Sequence, residues 1–315
     1  MPMKKNAIAA IILSLLVSCA PTTSSRYREG DNRGQQTPVT VADEKRLTEE
    51  ALPEIRKDYP ATKNLELQGY VAALGRKIAV ANNLEGNPYH YEFTVVDSKS
   101  ANAFAMPAGK IFVTVPLIAM ASNEAELAGV IGHEMGHVIA RHAAERMYIM
   151  EKEQKKTWLY GAGGALLGGV VGYGLGRMIC ADGDSACLAK AAAIGVAAGA
   201  GGGLLAQKYR FLVNSREDEM EADRIGFKLA VNAGYDKDKI GKFYEKLLEM
   251  GKKSGGVNDP ITRMLSDAIS THPPSEERVA QMKQLAAARP TVKNAAVDTP
   301  RFRNARKIAS ELIAH

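Results

Sequence analysis

Residues 131–142, IGHEMGHVIARH, set His133 and His137 four positions apart inside a stretch of helical periodicity. On an α-helix that spacing turns the two imidazoles about 40° from each other around the axis, so both face the same way and can grip one ion. Glu134 lies at the edge of that face. A fold that uses the pair must direct this helix face toward an interior. The bland alternative is two satisfied core histidines. Histidine is scarce, however: the chain has six, and His142 and His272 also lie in motif-like surroundings.

A catalytic zinc site takes three protein ligands and leaves a fourth position for water. The segment EDEMEAD, residues 217–223, offers the missing donor. Glu219 and Asp223 share one helical face, so Glu219 can ligate while Asp223 accepts a hydrogen bond from the far nitrogen of a ligating histidine and fixes its tautomer. Glu217 and Glu221 form an equally spaced pair, which leaves the register open on spacing alone. Small residues favour Glu219: Gly129, Gly136 and Ala140 flank the histidine face, and Ala222 and Gly226 flank Glu219. Two helices with such stripes can approach closely. Helical glycine costs about 1 kcal/mol relative to alanine, a cost that packing unrelated to a metal can equally justify.

The beginning of the chain reads as an export signal. Lys4 and Lys5 precede an apolar run from Ala7 to Val17 that is too short to span a bilayer well. Its end, Leu16-Val17-Ser18-Cys19, resembles a bacterial lipobox, which makes residues 1–18 a lipoprotein signal peptide and Cys19 the lipidated residue. Plain cleavage near Ala20 is the alternative. Ala20 stands where lipoproteins kept at the inner membrane carry Asp, so the resemblance implies an outer-membrane anchor and a chain facing the periplasm. That compartment is oxidising. Cys180 and Cys187 then remain, flanking a turn-like Asp182-Gly183-Asp184, and a disulfide or two buried thiols would account for them.

Residues 19–44 form a flexible tether, rich in Ser, Thr, Gly, Gln, Arg and Pro as far as about Thr40. Over the whole chain 46% hydrophobic and 24% charged residues describe a globular protein, and 315 residues suffice for a sizeable core in one or two domains. The net charge of +6 includes the two leader lysines, and the other basic residues are interspersed with acids, so nucleic-acid binding is not indicated. A locally basic tail, Arg301 to Lys307, reads as a solvated helix face rather than a lipid-headgroup contact.

The pattern predicts an α+β, mostly helical protein with a small β-sheet. Leu67, Val71, Leu74, Ile78 and Ala81 mark one face of a helix over 65–82. YHYEFTVVD and KIFVTV read as strands, with Pro107-Ala108-Gly109 turning between NAFAM and the second. Asn123 and Glu126 make a capping-box signal for a helix running to about Met147. Another helix opens at Asn214 or Ser215 and stops at Gly234. Shorter helices are expected over 236–250, 275–288 and 301–314.

Between the two motif helices, Gly164, Gly168, Gly172 and Gly176, then Gly195, Gly199 and Gly203, recur every four residues. Small residues at that spacing let helix backbones touch, so residues 158–207 are expected to form an antiparallel glycine-rich hairpin with Cys180 and Cys187 at its tip. It would serve as a lid or a homo-oligomer contact, with membrane insertion as the alternative.

NAFAMPAGKIFVTVPL, NEAELAGVIGHEMGHVIARH, SREDEMEADRIG and THPPSEERV, in this order, resemble the HtpX-like, prenyl-protease-type zinc metallopeptidases, especially their envelope lipoprotein members. The likeness covers roughly 45–290, leaving 291–315 as a C-terminal helical tail. It implies a zincin-type domain of the gluzincin kind holding one Zn2+ per chain through His133, His137 and Glu219. Glu134 would be the general base, and Asp223 the partner behind a ligating histidine. Arg278 becomes a candidate oxyanion stabiliser, against a plain ion-pair role, because it shares a family segment with His272. In some envelope relatives the histidine matching His272 reaches the metal, which would make it a fourth ligand and the enzyme latent. Asn102, Ala103, Phe104 and Ala105 would border the cleft, where substrate adds as a strand, unless that edge is covered.

The resulting expectation is a zinc endopeptidase acting on misfolded or unassembled envelope proteins. A metal-bound periplasmic chaperone or assembly factor for outer-membrane proteins is the alternative, and a membrane-perturbing protein built around the hairpin is a third.

Overall fold

The computed structural model describes residues 37–86, 88–149, 214–253 and 260–314. Cys19, the glycine-rich hairpin, Cys180 and Cys187 lie outside the described residues.

Helix α1 (Val41–Asp58) opens with a full capping box between Thr40 and Asp43, four residues inside the stretch read as tether. Helix α2 (Leu65–Ala81) buries Leu67, Val71, Leu74 and Ile78 as its periodicity predicts, whereas Ala81 is exposed and Tyr70 and Gly75 complete the inner face. Strands β1 (Glu92–Val96), β2 (Ala103–Met106) and β3 (Lys110–Thr114) follow. The sheet order is β1-β3-β2, with β3 parallel to β1 and antiparallel to β2. Pro107–Gly109 makes the predicted turn as one helical turn, with Ala108 and Gly109 at positive φ. Among the described residues β2 is therefore an edge strand.

After the short α3 (Val115–Met120) comes α4 (Glu124–Ile139), capped by Asn123, whose side chain accepts from the Glu126 amide. The helix does not run on to Met147. It ends at Ala140, Arg141 adopts φ 54°, and a separate helical stretch spans 142–149. Glu44 holds Arg141 in this left-handed conformation through its Nε at 3.0 Å, as does the Val39 carbonyl at 2.6 Å from Nη2. Two tertiary contacts thus offset a conformation that costs a non-glycine residue about 1–2 kcal/mol.

Helix α5 (Arg216–Asn232) starts from a Ser215–Asp218 capping box and is stopped by Gly234 at φ 88°, as expected. The region predicted as one helix over 236–250 is two, α6 (Lys237–Ile240) and α7 (Lys242–Lys253). Helix α8 (Pro260–Thr271) has no counterpart in the sequence prediction, while α9 (Glu276–Ala287) and α10 (Pro300–Ile313) do. Helix α10 is part of the body: Phe302, Ala305 and Ala309 join the main core, which also takes residues from α2, the sheet, α4 and α5. No described helix is long and apolar enough to cross a membrane.

The α4–α5 crossing positions the site. A Cβ on Gly226 would sit 2.5 Å from the His133 amide nitrogen, one on Gly132 2.7 Å from the Gly226 carbonyl oxygen, and one on Gly136 2.8 Å from the Ala222 carbonyl oxygen. Only glycine permits this backbone contact. The small-residue prediction therefore holds for Gly136, Ala222 and Gly226. Gly129 instead faces the Ile240 carbonyl of α6, and Gly132 is the α4 residue opposite Gly226.

Candidate metal centre

Helix α4 delivers His133, Glu134 and His137 into the interior, each at most 7% exposed. Helix α5 delivers Glu219, and His272 arrives at the end of α8. His133 Nε2 and His137 Nε2 are 2.9 Å apart, and each lies 3.3 Å from a Glu219 oxygen. His272 Nδ1 stands 3.2 Å from His133 Nε2 and 3.1 Å from Glu219 Oε1. The register left open by spacing is decided by burial: Glu219 and Glu221 point inward and Glu217 is exposed.

This donor set fits zinc. Four candidate ligand atoms from His133, His137, Glu219 and His272 lie within 4.8 Å of one another. Bonds of about 2.1 Å to a tetrahedral zinc would put neighbouring ligand atoms about 3.4 Å apart. The demand for positive charge shows in His133: burial works against its protonation, but the Glu219 and Asp223 carboxylates outweigh that and raise its pKa to about 9. Burial and the neighbouring His133 push His137 down to about 3, which keeps it neutral. Burial would raise the pKa of Glu219, yet His272, Arg278 and the two α4 histidines hold it well below the usual carboxylate range.

Asp223 stands behind His133. Its Oδ1 lies 2.8 Å from His133 Nδ1, within hydrogen-bonding distance although not aligned as a good hydrogen bond. Arg278 is where the structure corrects the sequence analysis. Its Nε and Nη2 donate to Asp223 at 2.7 and 2.8 Å, and Nη1 lies 2.8 Å from Glu219 Oε2 and 3.2 Å from the Pro273 carbonyl. The guanidinium also lies over the Tyr244 ring, 4.9 Å from its centre. With every nitrogen engaged and the side chain 2% exposed, it faces the two acids from behind and does not line the cleft. An oxyanion role does not fit that placement.

A cavity of about 440 Å³ opens beside the cluster, reaching Glu134, His137 and His272. Asn102, Phe104 and Ala105 line it, while Ala103 is buried and does not. Helix α1 adds Glu44 and Ile55, with Tyr59 beyond its end packed on Phe104 at 4.8 Å between ring centres. Asn214 also borders the cavity and donates to Glu219 Oε1 at 3.0 Å. Glu134, 2% exposed, has its pKa raised by burial, opposed by His272 and His133, and its Oε1 lies 3.4 Å from His272 Nε2. Sequence inspection gave no signal for Asn214 or for the α1 residues, because they reach the cavity only through tertiary packing.

The family model for peptidase family M48 matches residues 66–286. The chain belongs to this family. M48 members are zinc metallopeptidases, in agreement with the donor set above. The chain is similar to the beta-barrel assembly-enhancing protease of Escherichia coli (strain K12), with 26% identity over 287 residues, 90% of this chain and 53% of that protein. It is 32% identical to the mitochondrial metalloendopeptidase OMA1 of Arabidopsis thaliana over 206 residues, 65% of this chain and 33% of that one. To OMA1 of Schizosaccharomyces pombe it is 25% identical over 274 residues, 83% of this chain and 66% of that one. This chain thus spans about half the length of the bacterial M48 protease it matches.

Proposed function

We propose that this chain is a zinc-dependent endopeptidase with His133, His137 and Glu219 as metal ligands and Glu134 as general base. The observation that carries this reading is the convergence of His133, His137 and Glu219 on one cluster, beside a cavity edged by β2 that Glu134 and His137 line. Held by these three residues, zinc would supply Lewis acidity and lower the pKa of a water to about 7. Glu134 accepts the water's proton as the peptide carbonyl is attacked and returns it to the leaving amine, so no covalent intermediate is needed. The edge of β2 that no described strand pairs would give an extended substrate main-chain hydrogen bonds with little sequence selectivity, and Asn102, Phe104 and Ala105 would border its side chains. Asp223 orients His133, and Arg278 keeps Asp223 and Glu219 ionised and in place.

His272 is the proposed fourth ligand of a resting, closed site, for its Nδ1 faces the other donors and its Nε2 faces Glu134. The substrates we assign are misfolded or unassembled envelope proteins, supported by the name of the bacterial relative, a beta-barrel assembly-enhancing protease. The proposed location is the periplasmic face of the outer membrane, through a lipid on Cys19.

Digestion of casein tests the chemistry. Zinc-loaded wild type is expected to cut it and a chelator to stop it. Glu134→Gln should retain zinc and lose activity by about 10²-fold or more; undiminished cutting by that variant removes Glu134 from the mechanism. His272→Ala should raise activity with zinc retained, and unchanged or abolished activity rejects the closed resting state.

A further inference from the structure

The mechanism above leaves one buried histidine unused. His142 is 1% exposed, and its Nδ1 lies 2.8 Å from His137 Nδ1. Its other nitrogen, Nε2, is 3.3 Å from Glu221 Oε2 and 3.8 Å from Asp218 Oδ1. Asp218 is otherwise engaged by the Arg146 guanidinium, with Nε at 3.0 Å. On an uninterrupted helix a residue five positions after His137 would point about 140° away from it. The break at Ala140 and the left-handed Arg141 turn the chain so that His142 comes back behind His137.

One arrangement of protons satisfies all these contacts. If His137 Nε2 is to offer a lone pair to a metal, its hydrogen must be on Nδ1. That hydrogen faces His142 Nδ1, which must therefore accept, so the hydrogen of His142 is on Nε2, where the Glu221 carboxylate accepts it. A doubly protonated His142 would set two N–H groups against each other. We propose that His142 is a positioning residue for His137: held by Glu221 at Nε2 and accepting at Nδ1, it fixes the Nδ1–H tautomer of His137 and so aims His137 Nε2 at the metal. The proposal rests on His137 being a zinc ligand.

The test uses the full chain. Zinc affinity is measured by competition with a chromophoric chelator for wild type, His142→Phe and His142→Gln, with melting curves of the chelated proteins alongside. Wild type should bind one zinc, and its failure to do so overturns the metal reading before any variant is compared. His142→Phe should weaken zinc binding by about 10–100-fold. His142→Gln should recover most of that loss, since its amide can both accept from His137 and donate to Glu221. Affinity in His142→Phe equal to wild type, or an equal loss in both variants, overturns the relay. A second measurement needs no variant: 15N–1H correlation spectra of histidine-labelled, zinc-loaded wild type should show His142 as the Nε2–H tautomer. An Nδ1–H or doubly protonated His142 overturns the proposal.

Discussion

The two α4 histidines face the same cluster but are supported from behind by different chemistry. Behind His133 stands a buried ionic network, with Asp223 gripped by two nitrogens of Arg278, whose third nitrogen reaches Glu219. Behind His137 stands a second imidazole leading to Glu221. Charge explains the asymmetry. Glu219 and Asp223 already bring two carboxylates to the site against one guanidinium, and an imidazole behind His137 adds a hydrogen-bond acceptor without a further carboxylate in contact with that ligand. The ionic side lies between α5 and α9 and contributes to holding the body together. The neutral side hangs on the kink that ends α4.

The largest effect should come from the ionic side. Asp223→Ala leaves the buried Arg278 guanidinium with Glu219 as its one remaining carboxylate among the described residues, and removing one partner of a buried ion pair costs about 3–5 kcal/mol. Urea unfolding of the chelated protein should show a loss of that order, whereas a change below about 1 kcal/mol would put the two sides on the same footing. Gly226→Ala acts on both sides together by pushing α5 away from His133. An overpacked contact of this kind costs about 1–3 kcal/mol, and zinc affinity should fall with stability. Unaltered affinity would mean that helix separation does not set the ligand geometry.

The smallest effect concerns the kink. Burial raises the pKa of Glu44 above 4.5, opposed by its hydrogen bond from Tyr89 and by Arg141. A carboxyl whose folded pKa is raised holds its proton more tightly when folded, so its contribution to stability declines as pH rises from about 4.5 through the folded value. Wild type should therefore lose stability relative to Glu44→Gln as pH goes from 4.5 toward 7 in paired unfolding curves. A difference independent of pH would remove Glu44 ionisation from the support of Arg141.

Much of the ionic side was legible in the sequence because it follows helical arithmetic. His133 and His137 one turn apart, and Glu219 and Asp223 one turn apart, need only a regular helix to share a face. Strand positions, the Pro107–Gly109 turn and the Ser215 start also follow from local chemistry. Arg278 was marked by its segment, but its role was misassigned, since nothing local says whether a guanidinium faces a cleft or two carboxylates behind it. Helix α8 and the split of α6 from α7 were missed although Pro260 opens the first and Gly241 ends α6, signals that were not used.

By itself the sequence narrowed the candidate metal ligands to His133, His137 and one of two carboxylate pairs, because ligand spacing on a helix is a property of the backbone period. Tertiary structure alone decided how those residues are supported: the Gly226 contact that sets α5 against α4, the turning of Glu219 and Glu221 inward with Glu217 outward, and the left-handed Arg141 that returns His142 to His137. That last geometry depends on Glu44 and Val39, nearly a hundred residues earlier in the chain. A contact at such separation is fixed by packing, on which local propensity has no hold.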